Sequence, residues 1–402
     1  MPVFADLASA PEPSALDRSV ATCRVLHVVN GEHYAGAERV QDLLAEYLPR
    51  EGVATGFACV KPAEFPKRRH FQQAPCWSVP VAHPWPRAAV RELAELAAGE
   101  TFGMMHAHTP RSLWAALPAA RRMGVPVVYT MHDVNLIESD ALHRQWIKRR
   151  TMRLLRQVDA LIAVSPAALD IAERFGLGRH RQLIPNGVPC QARAKHSPRQ
   201  DRAVVGTVAL LRPRKGIETL IESIATLRQA GNDIDLRLIG PFESSEYERS
   251  VRRELARCNL RAEEVLTGFV SDVTSALREL DLFVMPSVLD EGLPMVVMEA
   301  MAVGLPVVGS RVAGVRDLIR HEVDGALVPP AEARPLADAV RWALADSARW
   351  GYLSEQAYRR QQALFSAERM AHRTAELYRW CSGDHDSSAE SPKCELNGRN
   401  CP

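Results

Sequence analysis

Apolar and polar positions occur in alternating blocks along the chain, beginning at Cys23. Short apolar segments rich in Val, Ile and Leu are separated by segments of helical periodicity such as AERVQDLLAEYL, PRAAVRELAELAA and PRSLWAALPAARRM. This alternation predicts parallel strands with helices on both faces of each sheet. The predicted strands are RVLHVV, ATGFACV, CWSVPV, GMMHAH, VPVVYTM, ALIAVS and RQLIP in the first half, and VVGTVAL, DLRLIG, EVLTGF, LFVMPS, PVVGS and GALVPP in the second.

A segment rich in Pro, Gly and charge, IPNGVPCQARAKHSPRQDRA, separates the two series of strands and indicates a domain boundary. We therefore predict an α/β chain of two doubly wound, Rossmann-like domains that face a cleft. Ligands of such sheets bind beyond the carboxyl ends of the strands, so the cleft is the candidate site. The predicted divisions are a disordered leader over 1–22, a first domain over 23–190, a second domain over 191–365, a last helix over 366–381 that could cross back to the first domain, and a disordered tail over 382–402.

Composition narrows the class of protein. With 402 residues and 47% hydrophobic content, the chain can bury two cores. Its 50 basic and 48 acidic residues give a net charge of +2, which disfavours nucleic acid as a partner. The eight cysteines form no CxxC pair, and most lie in apolar surroundings typical of reduced thiols. No segment approaches the roughly 20 apolar residues of a membrane span. We expect a cytoplasmic protein.

The segment LDEGLPMVVMEAMAVGLPVVGS places two acids in a predicted strand-loop-helix-strand unit. Pro294 is expected at the first helical position and Gly304 at the helix end. The helix N terminus, with its free N–H groups, would face the cleft as an anion site. Glu291 lies on the loop and Glu299 inside the helix, where carboxylates suit the hydroxyl groups of a sugar and a ribose. A solvated loop acid and a surface helix residue are the alternative interpretations.

Histidines follow two other predicted strands on the cleft side. His132 and Asp133 end VVYTMHDV, and His106 and His108 lie in HAHTP. An imidazole in such a place can orient a hydroxyl group or an acceptor. Three histidines also suggest a metal site, but no acidic partner occurs at ligand spacing, so we predict no metal.

The stretch PSVLDEGLPMVVMEAMAVGLPVVGS resembles the E-x7-E signature of retaining GT-B glycosyltransferases, in particular family 4. The resemblance continues through AGAERV, HAHTP, VVYTMHD, ALIAVSPAA, LIPNGV, RPRKGIETLI, TGFVSDV and DGALVPP. It implies a GT-B fold and a nucleoside-diphosphate sugar as donor, bound mainly by the second domain. It also implies a glycan or lipid-linked acceptor at the first domain, transfer with retained anomeric configuration, and no cofactor or metal.

The same resemblance implies roles for individual residues. Glu291 would contact the donor sugar and Glu299 the ribose. Lys215 would stabilise the negative charge that grows on the diphosphate leaving group. His132 would lie beside the donor sugar as a catalytic residue. The remaining implied contacts are His106, His108 and Asp133 on the acceptor side, Phe269 and Val270 near the nucleobase, and the turn of Gly292, Leu293, Pro294 and Met295 around the distal phosphate.

Two positions depart from the family pattern. Leu210 stands where the family has an arginine five positions before the lysine, so Arg212 or Arg214 is expected to substitute. Ala35 replaces the first glycine of the usual Gly-Gly pair in the loop before the first helix, which leaves Gly36 to allow close approach of a phosphate or acceptor.

The basic run HRQWIKRRTMRLLRQ surrounds apolar side chains, including Trp146. Such a helix can lie on an anionic membrane surface, as a lipid-linked acceptor requires, or it can be a solvated helix face. The sequence as a whole predicts a retaining glycosyltransferase of glycan, lipopolysaccharide or exopolysaccharide biosynthesis. The alternatives are a non-catalytic module that binds nucleotide sugars and a GT-B-like epimerase.

Overall fold

The computed structural model describes residues 23–83, 85–132, 145–193, 198–199 and 201–383, and the backbone of two short strands, Glu395–Leu396 and Arg399–Asn400. It contains one parallel sheet of seven strands and a second of six, each covered by helices. The predicted α/β class with two doubly wound domains is confirmed. The predicted leader, and the predicted tail after Gly383, lie outside the residues whose side chains are described.

The first sheet has the strand order β3-β2-β1-β4-β5-β6-β7, which reverses between β1 and β4. The central strands are almost fully apolar because both of their faces are buried, as in other parallel sheets. Its strands are β1 Cys23–Val29, β2 Val53–Cys59, β3 Cys76–Ser78, β4 Met104–Ala107, β5 Val127–Met131, β6 Ala160–Ala163 and β7 His180–Leu183.

The second sheet has the order β10-β9-β8-β11-β12-β13, and its order reverses between β8 and β11. A ligand of a doubly wound sheet binds in the crevice at such a reversal. Its strands are β8 Ala203–Val208, β9 Ile234–Ile239, β10 Leu266–Gly268, β11 Leu282–Met285, β12 Val307–Ser310 and β13 Gly325–Val328.

Several helices of the first domain begin with a side-chain cap or a proline in the first turn. Thr109 and Ser165, for example, accept hydrogen bonds from the backbone N–H groups of Ser112 and Ala168. The helices are α1 Gly36–Tyr47, α2 Phe65–Arg68, α3 Arg87–Gly99, α4 Pro110–Met123, α5 Gln145–Leu155 and α6 Pro166–Arg174, with a 3₁₀ turn at Leu48–Glu51.

The helices that follow the boundary segment cover the second sheet, except for the last one. They are α7 Ile217–Gln229, α8 Ser245–Arg257, α9 Ala262–Val265, α10 Val273–Arg278, α11 Met295–Ala302, α12 Val315–Leu318, α13 Ala333–Leu344, α14 Ser347–Leu364 and α15 Ala367–Ser382, with a 3₁₀ turn at Pro213–Lys215.

The last helix, α15, packs against the first domain. Its Tyr378 is fully buried and hydrogen-bonds to His106 of β4, and its Arg379 donates to the carbonyl of Glu51 at 2.9 Å. The chain therefore crosses back to the first domain after the second one is complete. None of the helices in the described part of the chain combines the length and apolar content of a membrane span.

Candidate functional site

A polar cluster lies beyond the carboxyl ends of β8 and β11, where the strand order of the second sheet reverses. Nζ of Lys215 lies 2.9 Å from Oε1 of Glu291, and the hydroxyl of Ser287 donates to the same oxygen at 2.7 Å. Gly216 allows the two loops to meet, because it has φ +64° and a Cβ there would lie 2.0 Å from the carbonyl oxygen of Pro286. The sequence-predicted lysine and first glutamate are thus in direct contact.

The charges of this cluster balance each other. Burial lowers the pKa of Lys215, and the carboxylate of Glu291 opposes that shift. The contact with Glu291 thus offsets part of the cost of burying the charge of Lys215. The cluster can therefore bind a diphosphate. The diphosphate would be the second anion, after Glu291, to contact the buried ammonium group of Lys215.

The two candidate arginines differ in placement. Arg214 donates to the carbonyl of Asp290, and its Nη2 lies 3.6 Å from Oε2 of Glu291. Arg212 instead pairs with Glu243 at 3.5 Å, although it is near enough to Lys215 for the two positive charges to repel each other. Leu210, which occupies the position of the family arginine, is 44% exposed.

The N terminus of α11 meets the first domain across the cleft. Pro294 is the N-cap residue, so the helix begins one residue later than predicted, at Met295. A Cβ on Gly292 would lie 2.5 Å from the carbonyl oxygen of His132, and a Cβ on Gly36 would lie 4.0 Å from Sδ of Met295. The predicted phosphate-binding turn and the glycine at the start of α1 therefore face each other.

Glu299, the second predicted acid, is 7% exposed and forms an ion pair with Arg39 of α1. Burial raises the pKa of Glu299, and Arg39 opposes the shift. The carboxylate is therefore held by a cation from the opposite domain. A ribose whose hydroxyl groups donate hydrogen bonds to Glu299 has to share that carboxylate with Arg39.

A row of buried hydrogen bonds leads from His132 into the first domain. Nε2 of His132 lies 3.3 Å from Nδ1 of His108, and Nε2 of His108 lies 3.0 Å from Nδ1 of His27 on β1. His108 is 2% exposed and His27 is fully buried, whereas His132 is partly exposed. His132 is thus the end of the row that reaches the surface.

The row continues through the last helix. Nε2 of His27 lies 3.4 Å from the hydroxyl of Tyr378, which lies 2.6 Å from Nδ1 of His106. Nε2 of His106 lies 2.7 Å from the hydroxyl of Thr130. We call this row the histidine chain; its members are His132, His108, His27, Tyr378, His106 and Thr130.

Burial keeps the histidine chain neutral. It lowers the pKa of His27 to about 3 and that of His132 to about 4, and it lowers the pKa of His106 and of His108 well below the ordinary value. Neutral imidazoles can bind metal ions, and ligand atoms of His27, His106 and His108 lie within 4.8 Å of one another. Each ring nitrogen of these three residues, however, already has a hydrogen-bond partner.

The predicted acceptor-side residues have different positions. His106 is fully buried with both ring nitrogens engaged inside the protein, so it presents no free group to an acceptor. His108 is also buried and reaches the cleft only through His132. Asp133 lies outside the described residues.

Phe269 and Val270 lie at the edge of the second sheet, after β10. Phe269 is 68% exposed, and both residues line a groove of about 840 Å³ whose other walls include Asp235 and Arg237. The residues that line this groove do not include Lys215, Glu291 or Glu299. The predicted nucleobase loop therefore lines a groove to which these three residues do not belong.

Five residues of the site were not predicted from sequence: His27, Arg39, Thr130, Ser287 and Tyr378. His27 carried a usable signal, because a histidine inside an otherwise apolar strand has to find a buried partner. Arg39, Thr130 and Tyr378 become candidates only through contacts with residues distant in sequence, whereas Ser287 contacts Glu291, four positions further along the chain.

The chain has two parallel sheets covered by helices, and the strand order of each reverses at a shared cleft. A cluster of a cation and a carboxylate lies at one of these reversals. These features define a GT-B protein. Two family models match the chain: Glycosyltransferase Family 4 over 34–192 and Glycosyl transferases group 1 over 191–360. Together they cover well over half of the 402 residues. The chain belongs to the family 4 glycosyltransferases with the GT-B fold.

Similar curated proteins include the amylovoran biosynthesis glycosyltransferase AmsK of Erwinia amylovora. It is 36% identical over 138 residues, which are 33% of this chain and 33% of AmsK. The 2-deoxystreptamine glucosyltransferase of Streptomyces kanamyceticus is 26% identical over 294 residues, 66% of this chain and 74% of that protein. The chain thus aligns with one third of AmsK and three quarters of the glucosyltransferase.

Among solved structures, Anabaena Alr3699/HepE in complex with UDP superposes with a TM-score of 0.76 at 21% identity, covering 89% of this chain and 100% of that one. The lipopolysaccharide outer core galactosyltransferase WaaB superposes with a TM-score of 0.69 at 15% identity, covering 89% and 99%. These similarities confirm the fold.

Proposed function

We propose that the protein transfers a sugar from a nucleoside-diphosphate sugar to an acceptor hydroxyl in polysaccharide or glycolipid biosynthesis. The observation that carries this proposal is the contact of Lys215 with Glu291 at the strand-order reversal, beside the N terminus of α11. The similarity to AmsK, an amylovoran biosynthesis glycosyltransferase, supports a biosynthetic transferase. The similarity to HepE, which was solved in complex with UDP, supports a nucleotide-sugar donor.

In the proposed reaction, Lys215 and the N terminus of α11 hold the diphosphate. The bond between the anomeric carbon and the diphosphate oxygen breaks, and negative charge grows on that oxygen. A buried ammonium group and oriented N–H groups stabilise this charge without reorganisation. The ammonium group of Lys215 and the N–H groups of α11 compensate the charge of the leaving diphosphate, so we propose that transfer needs no metal or cofactor.

Arg214 is the better substitute for the family arginine. Its guanidinium lies beside the Glu291 carboxylate that Lys215 also contacts, whereas the ion pair of Arg212 is with Glu243. We therefore propose that Arg214 contributes the second cation of the diphosphate site.

We propose that transfer retains the anomeric configuration by a same-face mechanism. Double displacement needs a carboxylate free to attack the anomeric carbon, and Glu291 is bonded to Lys215 and Ser287 instead. The incoming hydroxyl would form its bond on the face that the diphosphate leaves and pass its proton to a diphosphate oxygen. Glu291 would orient the donor sugar, and Glu299 the ribose.

A lipid-linked acceptor at a membrane surface is favoured by one region of the first domain. Trp85 and Trp146 are 56% and 48% exposed, and their rings stack with centroids 5.5 Å apart. Trp146 lies on α5, which also carries Lys148, Arg149 and Arg150. Exposed Trp beside basic residues suits the interface of an anionic membrane, so we propose a peripheral location at the inner face of the membrane.

A thermal-shift panel of UDP, GDP and ADP sugars identifies the donor, because a bound ligand raises the unfolding temperature. Release of the nucleoside diphosphate is then measured with glycan and lipid-linked acceptors, and NMR of the product gives the anomeric configuration. Release that depends on an acceptor supports the proposal. Binding without release would point to the non-catalytic module, which the exposed Leu210 favours. Conversion of the donor sugar without an acceptor would point to an epimerase.

A further inference from the structure

We propose that Arg39 of the first domain keeps the carboxylate of Glu299 ionised, so that a ribose bound to the second domain meets a charged acceptor. Arg39 is then a positioning residue for the donor, because it acts through Glu299 from the opposite side of the cleft. The inference rests on the proposed function, in which Glu299 binds the ribose.

The contact between the two residues joins the two domains. Arg39 lies near the start of α1, Glu299 lies near the start of α11, and Nη1 of Arg39 forms an ion pair with Oε1 of Glu299. The first residues of these helices also face each other, since a Cβ on Gly36 would lie 4.0 Å from Sδ of Met295. The partner of Glu299 is therefore supplied by the other domain when the cleft is closed.

The charge of Glu299 depends on this partner. Glu299 is 7% exposed, and its Oε1 is shielded from solvent. In the part of the chain that the structure describes, no side chain other than Arg39 pairs with this carboxylate. A carboxylate taken out of water without a cation takes up a proton. Burial indeed raises the pKa of Glu299, and Arg39 opposes that shift.

The elements packed against α11 supply no replacement for Arg39. These elements are β11, β12, α10, α12 and α14, and the two strands contain no charged residue. The charged groups of the three helices have other partners: Arg278 donates to the carbonyl of Ala192, Asp317 accepts from the N–H of Gly314 beside Arg316, Arg349 pairs with Asp346, Glu355 pairs with Arg193 and Arg359, and Arg360 pairs with Asp324.

An ionised Glu299 can hold Arg39 and a ribose at the same time. A carboxylate has two oxygens with about four sites for hydrogen-bond donors, whereas a protonated carboxyl group has an O–H of its own and fewer free acceptor sites. The ion pair with Arg39 engages Oε1. Hydroxyl groups of a ribose can then donate to Oε2, and a hydrogen bond to a charged acceptor is stronger than one to a neutral group.

Four variants separate the charge of Arg39 from its packing. Arg39→Met keeps a long apolar side chain but removes the charge, whereas Arg39→Lys keeps the charge. Glu299→Gln removes the group that titrates. Arg334→Met is the matched control, because it makes the same change at an exposed arginine of α13.

The first measurement needs no donor. NMR of the full chain labelled with ¹³C at the glutamate carboxyl groups follows the protonation of Glu299, whose signal is assigned by its loss in Glu299→Gln. We expect Arg39→Met to raise the midpoint of the Glu299 titration by about 1–3 pH units, the effect of removing an adjacent opposite charge. Arg39→Lys and Arg334→Met should stay close to the wild type.

An unchanged or lowered midpoint in Arg39→Met would overturn the proposal. A lowered midpoint has a specific meaning, because it would show that the cleft opens without Arg39 and that water reaches Glu299. Arg39 would then hold the two domains together without being needed for the charge of Glu299.

The second measurement is the pH dependence of donor affinity. The probe is UDP-glucose, the ligand in a solved complex of Anabaena Alr3699/HepE. Calorimetric titration between about pH 5.5 and 8.5 should give similar affinities for the wild type and Arg39→Met at the alkaline end. As the pH falls below the Glu299 midpoint of Arg39→Met, its dissociation constant should rise about tenfold per pH unit until it equals that of Glu299→Gln.

Two controls complete the affinity measurement. Arg39→Lys should restore the wild-type pH profile, and Glu299→Gln should bind UDP-glucose equally at all these pH values. A loss of affinity in Arg39→Met that is the same at every pH would indicate packing alone and contradict the positioning role. If the NMR midpoints shift as expected but the wild type binds no UDP, GDP or ADP sugar, the proposed function fails while the effect of Arg39 on Glu299 stands.

Discussion

Nζ of Lys215 lies 2.9 Å from Oε1 of Glu291. The cation expected at the diphosphate and the carboxylate expected at the sugar therefore form an ion pair with each other. The pair arises because two neighbouring strands, β8 and β11, end side by side at the strand-order reversal. A donor that places its diphosphate on Lys215 and its sugar on Glu291 must fit between the two groups. Substitutions of these residues should therefore not be additive.

Lys215→Ala should lower kcat by about 10²- to 10³-fold, the range seen when one group that stabilises transition-state charge is removed. The fold should persist, because Ser287 and Arg214 remain beside Glu291. Steady-state release of nucleoside diphosphate and the unfolding temperature check both statements. Lys67→Ala, the same change at an exposed lysine of α2, is the matched control and should be neutral.

Arg214→Ala should reduce activity at least about tenfold more than Arg212→Ala. Of the two arginines, only Arg214 forms an ion pair with the Glu291 carboxylate, and one group that stabilises transition-state charge contributes about 2.7–4 kcal/mol. The ratio of kcat/KM between the two alanine variants measures this difference. A larger loss at Arg212 would transfer the role of the family arginine to that residue.

Glu299→Gln should weaken donor binding by about 1.5–3 kcal/mol, because a ribose would lose a charged acceptor. Calorimetric titration with the donor and with the free base separates a ribose contact from a general loss of the site. Arg39→Ala should affect donor affinity less, since Arg39 pairs with Glu299 without itself being assigned to the ribose. Unchanged affinity in Glu299→Gln would refute the ribose assignment.

The contribution of His27 and His132 to the free energy of unfolding should fall as the pH falls from about 6.5 to about 3, and it should be constant above about pH 6.5. The folded pKa values of His27 and His132 are lowered to about 3 and about 4, so below pH 6.5 the unfolded chain binds protons that the folded chain does not. Each such histidine contributes a slope of up to about 1.4 kcal/mol per pH unit. Urea unfolding at several pH values measures the slope.

The control for this pH dependence is His27→Asn. It removes one titrating group and should reduce the slope by the share of one histidine. Burial raises the pKa of acids such as Glu299 and Asp324, so their contribution to the free energy of unfolding changes with pH in the opposite direction. The wild type and the His27→Asn variant both contain these acids. An identical slope in the variant would show that His27 is not held neutral.

Gly292→Ala should lower donor affinity and kcat together, because its Cβ would lie 2.5 Å from the carbonyl oxygen of His132 and the two domains would have to move apart. An overlap of this kind costs about 1–3 kcal/mol. Small-angle scattering with and without donor should show a less complete closure. Gly351→Ala on α14 is the control, since a Cβ there meets nothing within 4 Å.

Much of the fold could be predicted because it depends on local patterns. Thirteen strands were expected from apolar segments and thirteen are found in the two sheets, with ends that differ by a few residues. The helix N terminus near Met295 followed from its proline, although Pro294 caps the helix rather than starting it. Such features need only the periodicity and breaker residues of a short window.

The site was predicted less completely, because it depends on contacts between distant residues. The partners Lys215 and Glu291 each follow a strand end, so the adjacency of their strands was sufficient to bring them together. Arg39 and Glu299 meet only because two domains face each other. Tyr378 meets His27 across 351 positions, and nothing in the local sequence of either residue specifies the other.

The return of α15 to the first domain has a consequence for biosynthesis. Tyr378 is translated after the whole of the second domain, yet it supplies the hydroxyl between His27 and His106 in the core of the first. Until Tyr378 has been synthesised, His27 and His106 in the first sheet lack the hydroxyl group that hydrogen-bonds to both of them. The two domains have separate sheets, but the core of the first domain is complete only after α15, which follows the second domain, has been translated.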